Sequence, residues 1–466
     1  MSLSNELICG NNKMFPLFFL YEYFLSFFFV FLFCLSVLFF LFYLYVLYFC
    51  FALMFYTDIS FCIFTGFLQK IDLKTNFGGN MPKIGKHSFE LENRPRIISS
   101  ASFVGSREGN GPMGKYFDAV CEDDTLGLKS WEQAESRMFE SSVRLALAKI
   151  NRTPEDLSCI LGGDLLNQII SSGFAARELK APFLGLYGAC SAICESLIIG
   201  GMLVDGGYTQ LTACAASSHF SSVERQFRFP LEMGTQPVPT SQRTVTGAGC
   251  IILNSTGKTK DSANLKEIQK EDCEKNAEKA VKPGRTGKSE KEEKTGIVEE
   301  TENNADYVFN HIALTGGTIG KVADYGITDG NNMGAAMAPA AAQTICDHFD
   351  DFSVSPSDYD CIVTGDLGIL GSDMLYELCR KRGHEIKQRH IDCGKLMFEG
   401  EKDVNCGASG CGCAATLLAG FFLPEIEKGK YKKILFTATG ALLSSVSSLQ
   451  GESIPGIAHA IVIERV

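Results

Sequence analysis

The residues best suited to chemistry gather around cysteine. Gly188-Ala189-Cys190-Ser191 opens a run of small and apolar residues that reaches Val204. Gly407-Ala408-Ser409-Gly410-Cys411-Gly412-Cys413 opens a second run, to Leu423. Cys190 precedes Tyr208 by 18 residues and Cys413 precedes Tyr431 by 18, so Cys190 matches Cys413. A thiol at the start of a helix has its pKa lowered by the helix dipole and becomes a better nucleophile. The plainer reading is that small buried residues let two helices pack closely; it is preferred for Cys413 and stands level with the nucleophile reading for Cys190. The backbone amides at the helix start beside Cys190 form an anion site that needs no charged side chain. His219 follows a strand end, where ligand groups often sit; the alternative is a structural, hydrogen-bonded histidine. Cys406, Cys411 and Cys413 lack the paired spacing of a zinc site. Gly316-Gly317-x-x-Gly320-Lys321 lacks the spacing and the hydroxyl of a phosphate loop. No metal and no cofactor are expected.

These groups need elements to hold them, and the elements come in two copies. Thr153-Pro154-Glu155-Asp156-Leu157-Ser158-Cys159-Ile160-Leu161-Gly162-Gly163-Asp164-Leu165 is repeated 202 residues on, from Ser355 to Leu367. In each copy a Thr or Ser caps a short turn with Pro at its first position and Asp at its third. An apolar run then reads as a buried strand ending in Gly-Asp. Residues 96–102, 210–216, 250–253, 311–314, 434–438 and 458–463 read as further strands. Ser130-x-x-Gln133 opens a helix that runs to about Ile150, with Trp131, Met138 and Leu145 on its apolar side. Strands alternating with helices give an α/β fold with parallel or mixed sheets. The expected architecture is two similar α/β halves, at 81–256 and 307–466, packed as an internal pseudo-dimer with central buried helices.

Composition bounds the rest. Of 466 residues, 45% are apolar and 21% charged, enough to bury a core. A net charge of −11 argues against a nucleic-acid partner, which calls for a basic face. Eighteen irregularly spaced cysteines read as free thiols in a reducing compartment. Residues 1–80 are different, holding 19 of the 35 phenylalanines and an uncharged stretch at 24–57. As a helix that stretch would span roughly 50 Å against a hydrocarbon core of about 30 Å. The preferred reading is read-through of upstream DNA, with the true start at Met81; the alternative is a membrane anchor. Residues 257–306 carry 11 basic and 13 acidic side chains and no aromatic ring, the composition of a solvated, disordered insertion.

Gly188-Ala189-Cys190 and Thr246-Gly247-Ala248-Gly249 resemble the thiolase and 3-oxoacyl-synthase III superfamily. Ala216-Ser217-Ser218-His219-Phe220, the run from Glu224 to Pro230 and the run from Asn332 to Ala340 resemble, more closely, the stage V sporulation protein AD family within it. The superfamily resemblance implies a thiolase-like fold with Cys190 at the nucleophile position. It also implies that the His and Asn positions of the synthases are replaced by Gly365 and Ala408. No catalytic residue is therefore expected, and the fold is read as kept for binding. The family resemblance implies a sporulation protein that binds dipicolinic acid (pyridine-2,6-dicarboxylate) or its calcium chelate. It would take part in movement of that acid across the spore inner membrane, peripheral to it on the cytoplasmic side, beside other stage V sporulation channel proteins. The ligand-binding residues would be Cys190, His219, Arg225 and Arg228. The two arginines, interleaved with Phe227 and Phe229, supply forks and stacking for an aromatic dianion. They are alternatively read as bridging the pseudo-dimer or a dimer interface, which leaves a homodimer open. The competing function is an acyltransferase acting on a coenzyme A thioester through Cys190.

Overall fold

A computed structural model describes residues 82–227, 238–255 and 308–466. The Phe-rich extension, the charged insertion and Arg228 lie outside the described residues.

The repeat seen in the sequence is a repeat in space. The first half supplies strands β1 (Arg96–Val104), β2 (Cys159–Gly163), β3 (Phe183–Gly185), β4 (Leu211–Ser218) and β5 (Gly247–Asn254). The second supplies β6 (Ile312–Thr318), β7 (Cys361–Thr364), β8 (His390–Asp392), β9 (Lys433–Ala441) and β10 (Gly456–Arg465). Across the first half the strand order is β3-β2-β4-β5-β1, and across the second it is β8-β7-β9-β10-β6. In both, the first three of these strands run parallel and the last two pair antiparallel. The halves join where β6 meets β1 antiparallel, through Ile312 opposite Ile97 and Ala313 opposite Arg96. The expectation of two similar α/β halves therefore holds. Each of the predicted strand segments overlaps a strand, and β6 and β9 run on beyond theirs through Gly and Thr. Gly316 and Gly317 lie inside β6, which removes the phosphate-loop reading.

The repeated turn keeps its chemistry. The Thr153 amide donates to Asp156 Oδ2 at 2.8 Å, and the Ser355 amide donates to Asp358 Oδ2 at 2.7 Å. These are matched capping boxes ahead of matched strands.

Helices form three layers around the strands. On the first half, α1 (Trp131–Ala148) and α2 (Ile170–Leu179) cover one face. Ser130 caps α1, accepting from the Gln133 amide at 3.3 Å, while the Gln133 side chain reaches back to the Lys129 amide. On the second half, α5 (Met333–Phe352) and α6 (Gly368–Lys381) do the same. Between the halves lie α3 (Ala192–Asp205) and α8 (Cys411–Leu417), the latter continuing as a wider turn over Leu418–Phe422 and a last turn over Leu423–Glu427. The remaining helices used below are α4 (Phe220–Phe227) and the short α7 (Cys393–Met397). α3 packs on β2 and β4 of its own half and on β9 and β10 of the other. Most of such a helix is buried, with Met202 near its end exposed, which is why its sequence lacks a polar stripe. The approach is close at Gly249 on β5, where an added Cβ would stand 2.3 Å from the carbonyl oxygen of Ala415 on α8. Large side chains such as Phe139, Phe422 and Phe436 are fully buried, each worth about 1.5–3 kcal/mol of transfer energy. Among the described residues no helix is long and apolar enough to cross a membrane.

Candidate functional site

Cys190 lies where the two halves meet. The chain turns sharply before it: Ala189 takes a left-handed φ of +49°, and Ser191 and Ala192 donate their amides back to the carbonyls of Gly188 and Ala189. Those two amides are thus consumed by the turn and are not open to an anion. The thiol itself is buried. It shares a hydrogen bond with the Asp366 carboxyl, which the Gly410 amide also reaches at 2.9 Å. Burial, followed by the charge of Asp366, pushes the Cys190 thiol well above its ordinary pKa. The sequence expectation of a lowered thiol pKa fails here, because desolvation and a neighbouring acid outweigh the dipole of α3.

Asp366 was not singled out from the sequence. It follows β7 through Gly365 and is fully buried, with Oδ1 accepting from the Thr439 hydroxyl at 2.7 Å. Burial raises it to about 7. Near neutral pH the thiol is thus protonated, beside an acid that is in mid-titration. The signal for it was present, since Asp366 closes the repeated segment and matches Asp164.

A narrow pocket of about 30 Å³ opens beside Cys190, room for two or three waters, so any larger occupant widens it or lies in its mouth. The first half lines it with Leu165, Tyr187, Val223 and Phe227, and the second with Met333, Ser409 and Leu443. Thr244, on a two-residue strand that pairs with Ala408–Ser409, completes one wall. The lining is apolar with hydroxyls from Tyr187, Thr244 and Ser409, and none of its residues is charged. Burial lifts Tyr187 to about 12, so it is a neutral donor.

The other expected residues are placed elsewhere. His219 follows β4 and is buried, with Nε2 against the Asp124 carbonyl at 2.9 Å and Nδ1 accepting the Ser221 amide at 3.2 Å. Both ring nitrogens are occupied, and burial lowers its pKa, so the ring is neutral and structural where it stands. Arg225 points away from the pocket: it is ion-paired with Glu132 on α1 and stacked 5.1 Å from the Trp131 ring. The structure therefore brings Cys190 to the pocket and leaves His219 and Arg225 outside its lining. The three Gly-rich cysteines face different partners: the Cys406 sulfur takes the Leu370 amide, Cys411 donates to the Ala189 carbonyl at 3.0 Å, and Cys413 donates to the Gly365 carbonyl at 3.5 Å. Ala408 is buried, its carbonyl accepting from the Gln242 side chain at 2.8 Å. An added Cβ at Gly365 would stand 3.2 Å from Ala438 Cα and Thr439 N, too tight for an imidazole without movement of β9.

A family model described as stage V sporulation protein AD matches residues 85–272 and 298–464. Over 385 residues the chain is 36% identical to the stage V sporulation protein AD of Bacillus subtilis (strain 168), covering 83% of this chain and 98% of that protein. The chain belongs to the stage V sporulation protein AD family. The unmatched gap, 273–297, is narrower than the charged segment at 257–306. Among solved structures, the chain is similar to 3-oxoacyl-[acyl-carrier-protein] synthase III of Aquifex aeolicus VF5, at 12% identity and a TM-score of 0.44, covering 79% of this chain and 99% of that one. It is also similar to human mitochondrial 3-ketoacyl-CoA thiolase in complex with CoA, at 11% identity and a TM-score of 0.45, covering 82% of this chain and 100% of that one.

Proposed function

We propose that this member of the stage V sporulation protein AD family binds dipicolinic acid in the pocket beside Cys190 and takes part in its movement across the spore inner membrane. The protein works as a peripheral component beside other stage V channel proteins. The observation that carries the binding reading is the pocket itself: an apolar slot with an aromatic wall at Phe227 and hydroxyl donors at Tyr187, Thr244 and Ser409. A flat pyridine ring lying in the mouth of the slot, or widening it, would meet the apolar wall, and its carboxylates suit the hydroxyls. The rejected reading is condensation through Cys190. A buried thiol held protonated by burial and by the neighbouring Asp366 is a poor nucleophile, and Gly365 and Ala408 supply no side-chain donor to a thioester oxygen. Calorimetry on the full chain with dipicolinate and with its calcium chelate tests the proposal. Saturable heat with either ligand is expected, and the absence of heat with both overturns it. Incubation with acetyl- or malonyl-coenzyme A followed by intact mass tests the rejected reading. A Cys190-dependent adduct that turns over would restore the acyltransferase.

A further inference from the structure

The pocket lining lacks a cation, yet dipicolinate is a dianion at neutral pH. One cation stands near enough to matter. On α4, Phe220 and Phe227 are seven residues apart and Val223 lies between them, so the three share one stripe of the helix. Val223 and Phe227 line the pocket. Phe220 continues the same stripe one turn further, about 4.5 Å along the axis from Val223. The guanidinium of Arg243 lies 3.9 Å from the centre of the Phe220 ring, at the end of this apolar wall. Arg243 adjoins Thr244, which lines the pocket, and pairs across the short strand with Ala408, which adjoins Ser409.

This guanidinium is unusual in its surroundings. Its Nε is buried and has no hydrogen-bond partner, and among the described residues the side chain has no ion pair. The nearby Arg107 also has a buried Nε without a partner, but its Nη2 donates to Glu401 at 2.7 Å and to Asp403 at 2.8 Å. Three acids act on Arg243 through space: Glu108, which burial raises to about 7, Asp403, which Arg107 engages, and Glu224 on α4. Burial and the charge of Arg107 both disfavour the charged form of Arg243. A half-buried cation with an unpartnered Nε and no ion pair among the described residues, fixed by stacking at the edge of an anion's pocket, is a site for that anion's carboxylate.

We infer that Arg243 takes one carboxylate of the ligand at the rim of the pocket. The inference rests on the proposed dipicolinate reading and replaces Arg225 in the role the sequence suggested. The test is a dipicolinate titration of the full chain by calorimetry, comparing the wild type with Arg243→Gln, Arg243→Lys and Arg225→Gln. Loss of a charge-assisted hydrogen-bonded pair predicts a ten- to hundred-fold weaker Kd for Arg243→Gln, by the usual strength of such bonds. Arg243→Lys keeps the charge without the planar fork and should fall in between. Arg225→Gln should change the Kd less than about threefold, as expected of an exposed ion pair. Should Arg243→Gln fail to fold, the Arg243→Lys result decides: an unchanged Kd overturns the assignment. A wild type that binds while Arg243→Gln binds equally well overturns the role of Arg243 and leaves dipicolinate binding standing. A wild type that does not bind overturns both.

Discussion

The two halves place equivalent aspartates at equivalent strand ends and use them differently. Asp164 follows β2, and its carboxylate accepts the Leu166 amide at 2.8 Å, the Ser172 amide at 2.8 Å and the Ser172 hydroxyl at 2.6 Å, all within its own half. Asp366 follows β7 and reaches across to Cys190 of the other half. The matched helix starts differ in the same way. Cys190 borders the pocket, whereas Cys411 is tied to the Ala189 carbonyl and Cys413 to the Gly365 carbonyl. One copy of the repeat therefore frames a cavity and the other fills it. Duplication fixes backbone and strand order, and a few side chains at the seam decide which copy keeps an open site.

Removing the aspartates should test this contrast most strongly. Asp164→Ala leaves the Leu166 and Ser172 amides without an acceptor, while the Ser172 hydroxyl keeps the Ile169 carbonyl, and about 3 kcal/mol of stability should be lost, read by denaturant unfolding. Asp366→Ala strands the Gly410 amide and the Thr439 hydroxyl at a similar cost. The two variants separate at the ligand: Asp366→Ala, which frees Cys190, should weaken dipicolinate binding, and Asp164→Ala should leave the Kd nearly unchanged if it folds. Equal effects on binding would erase the distinction between the halves.

A pH series sharpens it further. Asp366 and Glu108 both have folded pKa values near 7, above those of the exposed acids they become on unfolding. The native state therefore holds extra protons between about pH 4 and 7. The stability they contribute is present in full below pH 4 and is lost as pH rises to about 7. Asp366→Asn and Glu108→Gln should each flatten that fall in the unfolding free energy, measured from pH 4 to 8. A steeper fall in either variant contradicts the assignment of buried, protonated acids.

Thiol chemistry gives a smaller effect. Cys190 should react with iodoacetamide at pH 7.5 at least about tenfold more slowly than free cysteine, because burial and Asp366 hold it protonated. It should still react before Cys411 and Cys413, which do not border the pocket, and dipicolinate should protect it. Peptide mapping by mass reads the order. The smallest effect is expected at the surface, where Arg225→Ala removes an exposed pair with Glu132 and should cost under about 1 kcal/mol.

Much of this was legible in the residues. The spacing of Pro, Asp, Cys and Gly in the repeated segment announced two halves, and the absence of a polar face announced α3 and α8 as central. The site was less legible. Cys190 was found because a Gly-Ala-Cys at a helix start is distinctive, but its protonation depends on Asp366, 176 residues away, and on burial that no local pattern reports. Arg225 attracted attention by its spacing from Arg228, yet a helix has several faces, and its own points to Glu132 and Trp131. Arg243 was passed over because a single arginine before Thr244 carries no motif; only the tertiary stacking on Phe220 distinguishes it.

The central claim is that the pocket beside Cys190 is where dipicolinate binds. A crystal structure of the full chain grown with saturating dipicolinate tests it directly. The account predicts the pyridine ring against Phe227, with one carboxylate among the hydroxyls of Tyr187, Thr244 and Ser409 and the other toward Arg243. A ligand seated elsewhere, or an empty pocket at a concentration that saturates the calorimetric signal, would contradict it.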